Sequence, residues 1–300
     1  MHAFASFPLA LILAAAWPHD ARAHTVQSAG TLAGDPFAWN FEPWLLALLL
    51  VSAAGYALGV RRLWGNAGSG RGISVAQVAS FALGWLTLVV ALVSPVDALG
   101  NHLFSAHMVQ HELLMVVAAP LLVVARPLGA WAWALSPAQR QVAGRWFRSR
   151  GWLSMWTVLT APLGAWVLHA AALWAWHVPP LFDAALRNEA LHIAQHASFF
   201  VTALFFWWAV LGHDARGRFG PLHGAGSLFT TMLHTTVLGV LLTIAPTPWY
   251  SEYLQRAPLL GMDPLEDQQL GGLIMWVPSG TVYVIAALAL VGRMLRRQPA

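Results

Sequence analysis

Two pairs of histidines carry most of the chemistry available to this sequence. His107 and His111 stand at i, i+4 in the run Phe104-Ser105-Ala106-His107-Met108-Val109-Gln110-His111-Glu112. On a helix this spacing puts both imidazoles on one face, about 6 Å apart along the axis. His192 and His196 repeat the spacing in Leu191-His192-Ile193-Ala194-Gln195-His196. Two imidazoles one turn apart can chelate an ion, and two such helices facing each other would supply three or four nitrogens. Imidazole suits copper, zinc, iron and nickel alike. His177 closes the fourth apolar run, which passes His169 and ends Trp174-Ala175-Trp176-His177-Val178-Pro179-Pro180, so it reaches the same layer, with His102 in the loop just above. Taken singly, each pair could instead be an interhelical hydrogen-bonding group. Two pairs at matched depth favour a shared metal.

Other groups are less pointed. His234, in Met232-Leu233-His234-Thr235-Thr236, sits mid-run and fits a relay, a second ligand site or a simple interhelical hydrogen bond. Glu112 follows His111 by one residue and so points about 100° away. It could orient a histidine on another helix, carry protons or be solvated. Met108, Met115 and Met262 would suit Cu(I), though methionine is more often flexible packing. His213 and His223 fall in a basic loop and carry no assigned chemistry.

The elements that position these residues follow from composition. The chain has 300 residues, 58% hydrophobic and only 9% charged, whereas a soluble domain is about a quarter charged. Seven apolar runs cover approximately Pro43–Val60, Ser74–Ser94, Phe104–Ala125, Leu153–Trp176, Ala190–Leu211, Ser227–Ala245 and Gly272–Val291. Each approaches the ~20 residues that cross ~30 Å of hydrocarbon, and none alternates as a barrel strand would. The expectation is an all-α, polytopic membrane bundle of about seven transmembrane helices, with Pro120, Pro162 and Pro278 kinking their spans. There is no cysteine, so thiolate sites and disulfides are excluded.

Every basic residue counted with the sixteen Lys and Arg is arginine, clustered between apolar runs, which excludes a nucleic-acid face. Thirteen lie on one set of connections: Arg61, Arg62 and Arg71; Arg126, Arg140, Arg145, Arg148 and Arg150; Arg216 and Arg218; Arg293, Arg296 and Arg297. The positive-inside rule then places the N-terminus outside, the C-terminus in the cytoplasm and the histidine layer near the outer face. Residues 1–23 resemble a signal peptide, with Ala21-Arg22-Ala23 as the cleavage site. Residues 24–42 would be an outer segment, 43–292 the membrane domain and 293–300 a cytoplasmic tail. Cleavage would expose His24, whose α-amine and imidazole could together bind copper.

The run His107-Met108-Val109-Gln110-His111-Glu112-Leu113-Leu114, followed by Ala119-Pro120-Leu121-Leu122, resembles a signature of the multi-spanning CtaG family. Trp174-x-Trp176-His177-x-Pro179 resembles it too, as does Leu191-His192-x3-His196-x2-Phe199 with Phe206-Trp207-Trp208. The likeness runs from about Trp44 to Val291, with Glu112 standing where the pattern is apolar. It implies a non-enzymatic assembly factor for cytochrome c oxidase in the cell inner membrane. It also implies that copper is handled at His107, His111, His177, His192 and His196, with oxidase subunits or a periplasmic copper carrier as partners. A membrane zinc hydrolase is the rival reading, since three histidines with an open position can activate water. A haem-binding protein is a third.

Overall fold

A computed structural model of the protein describes residues 34–211 and 220–296. The leader, its cleavage site, His24 and His213 lie outside the described residues. Among the described residues every regular element is helical. The bundle opens with α1 (Pro43–Ala67), α2 (Val75–Leu92) and a short α3 (Pro95–Gly100). The central span is α4 (Phe104–Glu112), a π-helical stretch (Leu113–Ala118) and α5 (Ala119–Ala125). Then follow α6 (Pro127–Ala134), α7 (Pro137–Phe147), α8 (Arg150–Leu159), α9 (Pro162–Trp176) and α10 (Pro179–Arg187). Last come α11 (Glu189–Leu211), α12 (Gly220–Thr243), α13 (Ser251–Arg256) and α14 (Pro264–Leu295).

Six of these helical stretches are long and apolar enough to cross a membrane, or seven if α8 and α9 count as one span. The apolar run Leu153–Trp176 is therefore not one straight helix. It bends by 65° at Thr160-Ala161, because Pro162 cannot donate a helical hydrogen bond and begins a new helix instead. The same property places Pro95, Pro127, Pro137, Pro179 and Pro264 at helix starts. The last helix begins at Pro264, earlier than the apolar run at Gly272, and it passes through Pro278 unbroken.

Pro120 is accommodated differently. The backbone ahead of it widens into the π register, where the Ala119 N–H reaches back five residues to the Leu114 carbonyl. The next bond in that register would run from residue 120 to the Met115 carbonyl, and proline has no N–H to make it. The Trp207 indole on α11 supplies the donor, at 2.9 Å from Met115 O.

The central span separates two cores. One gathers Phe104, Met108, Phe182, Phe199, Phe206 and Trp207. The other gathers Leu45, Tyr56, Phe81, Leu114 and Leu122. Of the Phe104–Ala125 window 61% is buried, while no other candidate span exceeds 39%. The histidine-bearing helix is thus the axis of the bundle.

Its start is fixed from α14. The Asp267 carboxylate accepts the Phe104 N–H at 2.6 Å and the Ser105 N–H at 3.0 Å. These are orphan donors of the first helical turn, and a carboxylate there also meets the positive end of the helix dipole. Asp267 itself is held by the packing of α14 on α12. A side chain at Gly272 would meet the Gly239 carbonyl at 2.7 Å, and one at Gly239 would meet the Gly272 carbonyl at 2.9 Å. Only glycine allows that approach of backbones.

Candidate metal centre

The two i, i+4 pairs face each other. Helix α4 presents His107 and His111, and α11 presents His192 and His196. The His107 ring centroid lies 5.3 Å from those of both His192 and His196, and His111 lies 5.2 Å from His196. Within the helices the spacings are 4.3 Å for His107 and His111, and 4.2 Å for His192 and His196. Ligand nitrogens of His107, His192 and His196 all lie within 4.8 Å of one another. Those three can share one ion. His111 and His177 stand beside the triad, 6.2 Å apart, with His177 packed against Phe182 and Phe199.

The hydrogen bonds leave the nitrogens free for a metal. His107 Nδ1 is 3.3 Å from the Gly100 carbonyl and 3.2 Å from the Tyr253 hydroxyl, and that hydroxyl donates to Gly100 O at 2.7 Å. A proton on Nδ1 answers both oxygens and leaves Nε2 with its lone pair. His177 Nδ1 likewise donates to Leu173 O at 2.7 Å. The Nε2 atoms of His107, His111, His177, His192 and His196 are all buried with no hydrogen-bond partner among the described residues. One orphaned buried group costs about 1–3 kcal/mol and is uncommon. The three imidazoles that converge, His107, His192 and His196, suit a soft or borderline cation. Burial holds the His177 imidazole down to about 4, against the pull of its Leu173 hydrogen bond, so it stays neutral.

The connection between α12 and α14 covers this layer. The Tyr250 hydroxyl donates to the His177 carbonyl at 3.1 Å. The Ser251 hydroxyl donates to Asp183 at 2.6 Å, and Glu252 bridges Arg187 and Arg256 at 2.9 and 2.7 Å. Burial first, and the Asp267 carboxylate next, raise the Tyr253 hydroxyl well above its ordinary 10, so it remains a donor.

Other sequence candidates fall elsewhere. His102 Nδ1 is 3.0 Å from Ala98 O and lies outside the triad. His169 meets the Thr202 hydroxyl at 3.1 Å, and His234 packs against Trp166 at 5.6 Å. No hydrogen bond joins Glu112 to a described histidine, and its Oε2 is buried unpaired. The orienting role considered for Glu112 is filled instead by backbone carbonyls and Tyr253. Met108 and Met115 belong to the apolar core.

Sequence reasoning missed Tyr253, Tyr250 and Asp267, which act from a distant connection. It also missed Gln110 and Gln195, both fully enclosed. Gln110 donates to Asp97 Oδ1 at 2.7 Å and to Ala91 O at 2.8 Å. A signal was present: His107-x-x-Gln110-His111 and His192-x-x-Gln195-His196 are the same motif on the two facing helices.

Residues 54–297 match a family described as cytochrome c oxidase caa3 assembly factor (Caa3_CtaG). Uncharacterized proteins of Mycobacterium bovis and Mycobacterium tuberculosis are each 30% identical to the chain over 268 residues, covering 86% of it and 40% of themselves. An uncharacterized protein of Mycobacterium leprae is 27% identical over 267 residues, with the same coverage. The chain therefore spans about 40% of the length of the curated relatives it matches. No solved structure matches it.

Proposed function

The chain belongs to the cytochrome c oxidase caa3 assembly factor family, and from that membership we propose that it handles copper for the oxidase. The ion is cargo, held by His107, His192 and His196 and handed to oxidase subunits or to a periplasmic carrier. The observation that carries this reading is the triad of nitrogens within 4.8 Å, drawn from two facing helices, with Nε2 unpaired among the described residues. Neutral imidazoles exchange ions more readily than a closed thiolate cage, as a transfer site requires. His111 and His177, one ring further on, offer the ion a next ligand. The arginine distribution supports placing this end of the bundle outside the inner membrane.

The hydrolase reading has less support. It needs a carboxylate free to act on metal-bound water. No described carboxylate joins the triad, and Asp97 takes a hydrogen bond on each oxygen, from Gln110 at 2.7 Å and from Asn40 at 3.0 Å. Metal analysis of protein purified from copper-replete cells, wild type beside His107→Ala and His192→Ala, tests the proposal. The expected result is about one copper per chain, lost in either variant. Absence of bound metal in the wild type would leave no copper role, and stoichiometric zinc with lipid hydrolysis would favour the rival.

A further inference from the structure

The end of the bundle opposite the histidines holds an unassigned cavity. The central span runs from His107 to Arg126, so about 28 Å of helix separates the two at 1.5 Å per residue. There α5, α11 and α14 border a half-open groove of about 540 Å³. Val123, Leu211 and Leu290 line its apolar part, and Arg126 and Arg293 its polar part.

Three features of the wall point to an occupant. Neither guanidinium has an ion-pair or hydrogen-bond partner among the described residues, where the two salt bridges both lie on Glu252. The Trp208 indole N–H, in the same wall, is buried without a partner among the described residues. Arg126 also has a left-handed backbone, φ 55° and ψ 53°, and is the only non-glycine residue at positive φ among the described residues. The following Pro127 adds to the strain, since a residue before proline favours extended backbone. Glycine would relieve this at once, yet arginine stands there. Strain of that kind persists where the surroundings or the function require the side chain.

We propose that this cavity binds one anionic phospholipid. Acyl chains fill the apolar part between the helices, and the phosphodiester oxygens accept from Arg126, Arg293 and the Trp208 indole. Two guanidiniums without a partner among the described residues, at the mouth of an apolar space between helices, complement a charged headgroup on a hydrocarbon tail. Free phosphate would satisfy the arginines and leave the apolar wall unmatched.

Native mass spectrometry of the delipidated full-length chain in detergent tests this. The probes are phosphatidylglycerol and phosphatidylcholine with identical acyl chains. One phosphatidylglycerol should be retained per chain, at least tenfold better than phosphatidylcholine. Arg126→Gln with Arg293→Gln should erase that preference, while Arg145→Gln with Arg150→Gln, on α7 and α8, should keep it. Ala289→Trp fills the cavity with both arginines in place and should abolish retention, which covers the case of an unfolded double glutamine variant. Equal retention of the two lipids would overturn the proposal. So would a preference that survives the loss of Arg126 and Arg293 or that falls with Arg145 and Arg150. Displacement of the lipid by equimolar inorganic phosphate would show a phosphate site and overturn it too.

Discussion

Removal of one hydroxyl, in Tyr253→Phe, separates the histidine triad from its support. Tyr253 and Tyr250 are both enclosed, 2% and 1% exposed, and both donate to a backbone carbonyl. Each loses one neutral hydrogen bond on conversion to phenylalanine, a cost of about 1 kcal/mol of stability. Only Tyr253 also touches a triad imidazole, at 3.2 Å from His107 Nδ1. Without it, Nδ1 keeps only the longer 3.3 Å contact with Gly100 O. Its tautomer and ring orientation are then less firmly fixed. Loss of such an outer partner typically lowers metal affinity about 10- to 100-fold, and tenfold is about 1.4 kcal/mol. Copper competition against a chromophoric chelator should therefore show a drop of roughly tenfold for Tyr253→Phe. Tyr250→Phe should bind copper as wild type does, while both variants unfold at similarly reduced temperature. Equal affinities for Tyr253→Phe and wild type, or an equal loss in Tyr250→Phe, would refute the argument that Tyr253 acts on the metal site through His107.

Asp267→Ala should destabilise the protein by roughly 3–6 kcal/mol, because two charge-assisted hydrogen bonds of about 1.5–3 kcal/mol each are lost; thermal unfolding in detergent reads this, with Asp267→Asn falling between. Gly272→Val should reduce the folded fraction seen by size exclusion, since its side chain meets the Gly239 carbonyl. Trp207→Phe orphans the Met115 carbonyl and should cost about 1–3 kcal/mol. Adding Pro120→Ala supplies a backbone N–H in the π register and should recover part of that loss, a non-additivity that unfolding measurements of the four proteins would reveal.

What was legible in the sequence is what local spacing and solvent preference encode. Apolar run length located the spans, and i, i+4 spacing placed His107 with His111 and His192 with His196 on shared faces. The bend ahead of Pro162 was also readable, because the missing N–H is a local fact. The start of α14 was not: Pro264, Glu266, Asp267 and Gln268 look like a polar loop by hydropathy. They are helical because Asp263 caps the Leu265 and Glu266 N–H groups and Asp267 is spent on α4. Nor could spacing show that three of the five histidines converge while His111 and His177 stand aside. That depends on the rotation of α4 against α11; Gln110 ties α4 to Ala91 and Asp97, a contact that spacing along one helix does not reveal. Tyr253 lies 146 residues from His107 and belongs to no periodic pattern.

The choice of ligand chemistry follows from the bilayer as solvent. A cluster of carboxylates buried among Phe182, Phe199 and Tyr250 would carry negative charge into a medium that penalises it, and would hold a cation too strongly to release. Imidazoles remain neutral when buried, so the site need not be charged before the ion arrives. The Asp97 carboxylate is tied to the His107 helix through Gln110. His192 is the most accessible of the triad, whereas His107 is fully enclosed. On the proposed reading an ion meets His192 first and passes inward to His107 and His196. On that reading the graded burial of three similar ligands fits an order of access from His192 inward.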